Sequence, residues 1–366
     1  MTLRPWWGAL LVSLLLGCTP DKPIRIGFIG GLSDRASDTG EAGRNGMALA
    51  VEQRNQAGGI HGRRIEIVVQ DDAQDPAKAL AAIHALVAAQ VDAVVGPFTS
   101  SVAAVVVPVL NQARLTTISP TVTSGDFVGQ DDYFIRVNRT TRDNAIDYAR
   151  LLYQRGQRRV AAAYDARNAS YSDSWRKEFR AAFTAQGGQL VAEVAFASQA
   201  DTGFGDIVEK MLAAQPDGLL FIASAIDVGR LAQQAEKRAP HMPASASEWA
   251  ASESLIELGG QAVEDLLIAQ SYNRDDTSAR YLGFHKAYLA RFAREPGFST
   301  IAAYDATTVL LQAMERQERG ESVQQAILKY GPFQGLQQSI QFDRYGDTPR
   351  KVYFTEVHGG QFVLLK

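Results

Sequence analysis

From Ile24 onward, short continuous apolar runs alternate with longer segments whose apolar residues recur every three to four positions. The first is the signature of a buried strand, the second of a helix with one inward stripe. Ile24 to Gly30 reads as a strand, and Gly43 to Gln56 as a helix carrying Met47, Leu49, Ala50 and Val51. Ile65 to Gln70 is the next strand. Pro76 to Ala89 predicts a helix with Leu80, Ile83, Leu86 and Val87 on its inner stripe, followed by a strand at Ala93 to Val95 and a helix from about Ser101 to Gln112. This β-α-β-α rhythm predicts a parallel sheet covered on both faces. A crossing strand, Tyr133 to Val137, precedes a restart of the pattern. Helices at Asn144–Gln154, Trp175–Ala185, Ile207–Ala214 and Val228–Lys237 alternate with strands at Arg159–Tyr164, Leu190–Phe196 and Leu219–Ala223. Leu266 to Ser271 is a further strand. Helices around Ser278–Arg294 and Ile301–Gln317 are expected to return to the first unit, and Ser339–Asp343, Lys351–His358 and Gln361–Leu365 read as strands separated by glycine turns.

The 366 residues exceed the size at which one hydrophobic core keeps growing, which agrees with two units. A formal charge of -3, 46% apolar and 21% charged residues describe an ordinary globular chain, and the scattered lysines and arginines exclude a nucleic-acid partner. The N-terminus changes the picture more. Arg4 precedes an apolar run, Trp6 to Leu16, and then Leu15-Leu16-Gly17-Cys18. That run is shorter than the roughly 20 residues a bilayer-spanning helix needs, so residues 1–17 read as an export signal. The Leu-Leu-Gly-Cys ending resembles the lipobox of bacterial lipoproteins, implying cleavage before Cys18, lipid attachment there, and a tether over residues 18–23. Cys18 is the only cysteine, so no disulfide is expected.

No GxGxxG turn, Walker loop, GxSxG elbow or HExxH helix is present, and the five histidines are dispersed. No catalytic residue, metal site or cofactor is assigned, and an enzyme is not expected. One stretch is far more specific, Gly46-Met-Ala-Leu-Ala-Val-Glu-Gln-Arg-Asn-Gln-Ala-Gly-Gly-Ile-His-Gly, continuing through Gln70-Asp-Asp-Ala-Gln-Asp-Pro76. It resembles the leucine/isoleucine/valine-binding family of periplasmic receptors for ABC importers. Gly96-Pro-Phe-Thr-Ser-Ser101, Ser119-Pro-Thr-Val-Thr123, Tyr304-Asp-Ala and the segment from Gly335 to Asp347 follow in family order. The resemblance implies an α/β, two-lobed type I periplasmic binding fold, with each lobe a parallel sheet flanked by helices and three hinge crossings between lobes. Residues 24–139 and 272–348 are expected to form the N-terminal lobe, and 140–271 and 349–366 the C-terminal lobe.

Carried over residue by residue, the resemblance implies that Ser100 holds a ligand carboxylate at a helix start, where free amides and the helix dipole favour an anion. Thr121 and Thr123 match positions offering a backbone carbonyl and a hydroxyl to the ligand ammonium. Glu248 matches the ammonium's acidic partner from the opposite lobe, and Tyr171 an aromatic lining the cleft. Read alone, the Thr-Val-Thr loop is a turn, Ser100 a helix cap, Tyr171 a packing residue and Glu248 an exposed glutamate. Thr39, Ser224 and Ser299 stand where branched-chain receptors tend to carry aromatic walls, implying a wider, more polar pocket; Trp249 is either a restored apolar wall or core. The resemblance thus implies capture of an amino acid or related small polar molecule by a monomeric periplasmic lipoprotein, which delivers it to ABC permease subunits. A partner-regulating or sensing lipoprotein of the same fold is the alternative, and the choice of inner or outer membrane stays open.

Overall fold

A computed structural model describes residues 22–33 and 37–365. The leader and Cys18 lie outside the described residues. Five strands, β1 (Ile24–Gly30), β2 (Ile65–Asp71), β3 (Ala93–Val95), β4 (Thr117–Ser119) and β5 (Phe134–Arg136), form an all-parallel sheet in the order β2-β1-β3-β4-β5. Helices α1 (Ser37–Gln56), α2 (Pro76–Ala88) and α3 (Ser100–Ala113) connect the first four strands. Asp75 caps α2 by accepting from the Ala77 and Lys78 amides, with Pro76 starting the helix. Beyond α1, Gly58 and Gly59 adopt φ of +99° and +73°, backbone that L-residues avoid. The Asn55 amide exchanges two hydrogen bonds with the backbone of Ile65 and pins α1 to β2.

After crossing at residues 137–140, the chain enters α4 (Thr141–Gln154) and a second sheet. Strands β6 (Arg159–Asp165), β7 (Gln189–Phe196), β8 (Gly218–Ile222), β9 (Ala244–Ala246) and β10 (Leu267–Gln270) run parallel in the order β7-β6-β8-β9-β10. They are connected through α5 (Ala169–Ala185), α6 (Phe204–Leu212), α7 (Ala225–Arg238) and α8 (Glu253–Gly259). The chain then returns to the first lobe as α9 (Ala279–Phe292), α10 (Phe298–Arg316) and α11 (Val323–Tyr330), followed by a two-stranded ribbon, β11 (Phe333–Gln334) with β12 (Ser339–Ile340). A last crossing delivers β13 (Tyr353–His358) and β14 (Gln361–Leu364) as antiparallel additions to the second sheet beside β10. The result is the two-lobed type I periplasmic binding fold, with an apolar layer on each face of each sheet.

Helix α10 packs along α1 so closely that a Cβ on Gly46 would stand 2.2 Å from the Thr300 carbonyl oxygen. The crossings are laced together by polar side chains. Arg136, at the end of β5, pairs with Asp347 in the third crossing. Arg350 donates to the Val137 carbonyl (3.3 Å) and pairs with Asp305 of α10 (2.8 Å). Asn273, in the second crossing, exchanges two hydrogen bonds with Gln337. No helix among the described residues is long and apolar enough to cross a membrane.

The structure departs from the sequence reading in short elements. Tyr133–Val137 is not merely a crossing segment, because β5 within it is the edge strand of the first sheet. Strands β4, β9 and β11 and helices α8 and α11 have no counterpart in the reading above. Ser339–Asp343 is strand only over its first two residues, and the chain then turns at Gly346.

Candidate functional site

In parallel sheets, ligands collect beyond the carboxyl ends of the strands, where strand order reverses. Here those reversals fall at β1/β3 and at β6/β8, and the two ends face each other across a partly open cavity of about 40 Å³. Ser100 enters from the start of α3, Thr121 and Thr123 from the loop after β4, Tyr171 from the first turn of α5, and Glu248 and Trp249 from a 3-10 turn after β9. Thr39, from the first turn of α1, completes the sequence-expected residues that line it. These positions are far apart in the chain and meet only because every strand delivers its loop to the same edge.

The lobes are drawn together over the cavity. The Ser101 amide donates to Asn168 Oδ1 at 3.0 Å, and the Ser124 hydroxyl to the Ser170 carbonyl at 2.8 Å. Thr99, at the cap position of α3, supplies no side-chain cap; Asn168 of the other lobe takes the Ser101 amide, and the helix start beside the cavity still attracts an anion through its dipole. Thr121 turns its hydroxyl back to the Phe98 carbonyl at 2.7 Å. Thr123 accepts from the Thr141 amide through its carbonyl (2.8 Å) and from the Thr141 hydroxyl through its own (3.0 Å), tying the loop to the start of α4.

The second lobe contributes the opposite charge. Glu248 Oε2 accepts from the buried Trp175 indole at 3.1 Å, while its Oε1 is buried without a hydrogen-bond partner. Asn144 Oδ1 is likewise buried and unpartnered, and the Tyr171 hydroxyl, beside Ser247 and Glu248, makes no well-formed hydrogen bond to either; Tyr171 is only 5% exposed. Burial first, and the Glu248 carboxylate second, push the Tyr171 hydroxyl well above its ordinary pKa, so it stays a neutral donor. Buried polar atoms are normally paired, and an unpaired buried carboxylate oxygen is costly. A cationic group beside Glu248, with a donor or acceptor toward Tyr171 and Asn144, would satisfy all three.

Two expected wall residues lie elsewhere. Ser224 caps α7, accepting from the Asp227 amide and donating to its carboxylate at 3.2 Å. Ser299 spends its hydroxyl on the Thr39 carbonyl at 2.6 Å and lines an outer cleft instead. The expected wider, polar pocket is replaced by a tight one with aromatic walls: Phe98, Phe298 and Trp249, the last packed edge-on against Tyr171 at 5.6 Å. Sequence reasoning missed Phe98 and Phe298, although the first stands two residues before Ser100 and the second next to Ser299. It also missed Asn144 and Asn168, and the crossing residues Asn138, Arg139, Ser271 and Val352 that close the cavity. Unlike the others, Asn144 had a local signal, because the Thr140 cap places it in the first turn of α4.

A profile of the periplasmic binding protein family matches residues 23–361. The Leu/Ile/Val-binding protein BraC3 of Rhizobium johnstonii is 27% identical over 236 residues, which is 64% of this chain and 64% of its own. The leucine-, isoleucine-, valine-, threonine- and alanine-binding protein of Pseudomonas aeruginosa is 23% identical over 329 residues, 88% of this chain and 87% of its own. Among solved structures, the branched-chain amino acid transporter substrate-binding protein LivJ of Streptococcus pneumoniae, in complex with isoleucine, superposes with a TM-score of 0.85. It has 26% identity and covers 93% of this chain and 97% of its own. Since the family profile runs from the first strand into the last, this chain belongs to the periplasmic binding protein family.

Proposed function

We propose that this protein is the receptor subunit of an ABC importer, which captures an amino acid between its lobes without reacting with it and presents the closed form to membrane permease subunits. The observation that carries the reading is the buried, unpartnered Glu248 oxygen in a cavity whose other side is the start of α3, where Thr99 makes no side-chain cap. A carboxylate facing an anion-attracting helix end suits a zwitterion: the ligand carboxylate at Ser100 and the first α3 amides, its ammonium between Glu248 and the Thr121–Thr123 loop. The relatives named for leucine, isoleucine, valine, threonine and alanine support the amino-acid class. Residues 24–139 with 272–348, and 140–271 with 349–366, act as the two bodies that close by bending at the three crossings, so affinity is set by the difference between open and closed states.

The protein works as a monomer outside the cytoplasmic membrane, tethered through lipid on Cys18. Radiolabelled palmitate is then incorporated by the parent and lost in Cys18→Ala, and labelling that persists in the variant disproves the anchor. For the binding function, thermal denaturation against a panel of the twenty amino acids is the direct test. A ligand at one hundred times its dissociation constant stabilises by about 2.7 kcal/mol, and a panel without any shift overturns the proposal.

A further inference from the structure

Thr39 and Phe298 line both the cavity and an open cleft of about 650 Å³. A ligand whose head group occupies the cavity therefore has that cleft beside it, with the small Thr39 side chain and the Phe298 ring on the border between the two. Beyond it the cleft is bordered by α1 of one lobe and α8 of the other, and among the described residues its charged lining is dominated by carboxylates: Asp38, Glu41, Glu253, Glu257 and Glu295, against one cation, Arg294. Glu253 is paired with Arg274 and Glu295 with His285. Among the described residues no ion pair engages Asp38, Glu41 or Glu257. Asp38 reaches across the lobes to accept from the Ser252 hydroxyl at 3.4 Å. Burial, reinforced by the nearby Glu41 charge, holds its carboxyl above the usual range, the condition of a carboxyl that gains when a cation arrives.

We propose that the preferred ligand is an amino acid with a long cationic side chain, its head group in the cavity between the lobes and its side chain passing between Thr39 and Phe298 into this acidic cleft. The inference rests on the amino-acid reading given above. The side chain's stem lies against Phe298, and its terminal charge stands among Asp38, Glu41 and Glu257. A cleft formed by both lobes places this selectivity where closure is felt, because Asp38 and Ser252 meet only when the lobes do.

Titration calorimetry on the purified protein, stripped of bound ligand, with lysine, arginine, alanine, leucine and norleucine tests the proposal. Norleucine has lysine's carbon chain without its ammonium. Lysine or arginine is expected to bind at least ten-fold more tightly than norleucine and leucine. Glu41→Gln combined with Glu257→Gln is expected to weaken the cationic ligand about ten-fold while leaving alanine binding unchanged. Leucine or norleucine binding as tightly as lysine overturns this inference and leaves the amino-acid receptor standing. No binding of any amino acid overturns both.

Discussion

Replacing Glu248 by glutamine removes one charge and keeps one hydrogen bond, because the side-chain carbonyl can still accept from the Trp175 indole now 3.1 Å from Glu248 Oε2. In the ligand-free protein the effects oppose each other. The variant relieves a buried carboxylate oxygen that has no partner, while the bond to Trp175 weakens once its acceptor is neutral; each effect is about 1–2 kcal/mol, so stability changes little. In the complex nothing offsets the loss. Truncating one partner of a buried charge pair costs about 2–5 kcal/mol, which lowers affinity between about 30-fold and 4,000-fold at 1.4 kcal/mol per decade. At a ligand concentration one hundred times the parent dissociation constant, binding stabilises the parent by about 2.7 kcal/mol. It stabilises a hundred-fold weaker variant by only about 0.4 kcal/mol. With lobes of this size, that is a midpoint shift of roughly 5–10 °C against about 1 °C. Calorimetry and thermal denaturation on the same preparation read both quantities, and an unchanged affinity with an unchanged ligand-free midpoint refutes the placement of a cation beside Glu248.

Three further outcomes follow from contacts away from the cavity. Asp305→Ala leaves Arg350, whose side chain is 4% exposed, as an uncompensated buried charge, and is expected to cost about 3–5 kcal/mol in urea denaturation; a loss below 1 kcal/mol contradicts the buried-pair argument. Gly46→Val forces α1 away from the Thr300 carbonyl and is expected to destabilise by about 1–3 kcal/mol through overpacking, a prediction that an unchanged urea midpoint defeats. Asp38 carries a carboxyl whose pKa is raised by burial, so the folded protein binds its proton more tightly than the unfolded chain and loses stability as pH rises through the folded value. Asp38→Asn is therefore expected to be more stable than the parent at pH 7, with the difference vanishing below about pH 4, where the carboxyl is protonated in both states; a difference independent of pH disproves the assignment.

Long periodic segments were legible because burial imposes their pattern. β1, with no residue exposed over seven positions, and α10, buried on most of its faces, leave little ambiguity. β4 and β9 are three residues long and carry threonine, serine or alanine rather than a branched apolar run, so only their neighbours in the sheet make them strands. The missed α11 did announce itself, since Ser322 and Gln325 form a reciprocal capping box, a signal that requires reading caps before periodicity. At the cavity, Ser100, Thr123, Tyr171 and Glu248 could be picked out by motif. The roles of Ser224 and Ser299 could not be, because whether a serine faces a pocket or caps a helix is decided by one side-chain rotation. Phe98 and Phe298 share this limit: nothing local distinguishes an aromatic residue lining a cavity from one in the core.

The lacing of the crossings has a mechanical consequence. Three separate connections could in principle let one lobe slide, twist or bend relative to the other. On the lobe boundaries proposed above, Arg136 with Asp347 and Asn273 with Gln337 join parts of the first lobe, and Arg350 with Val137 and Asp305 ties the far side of the last crossing back to it. The first lobe therefore grips the near end of every crossing, as a frame grips the fixed leaf of a hinge. In the proposed closure bending is left to the short stretches beyond those grips, and Asn138, Arg139, Ser271 and Val352, which line the cavity, lie beside them. A molecule resting on those residues touches the protein where lever arms are shortest, so small differences in its shape become large differences in the angle at which the hinge stops.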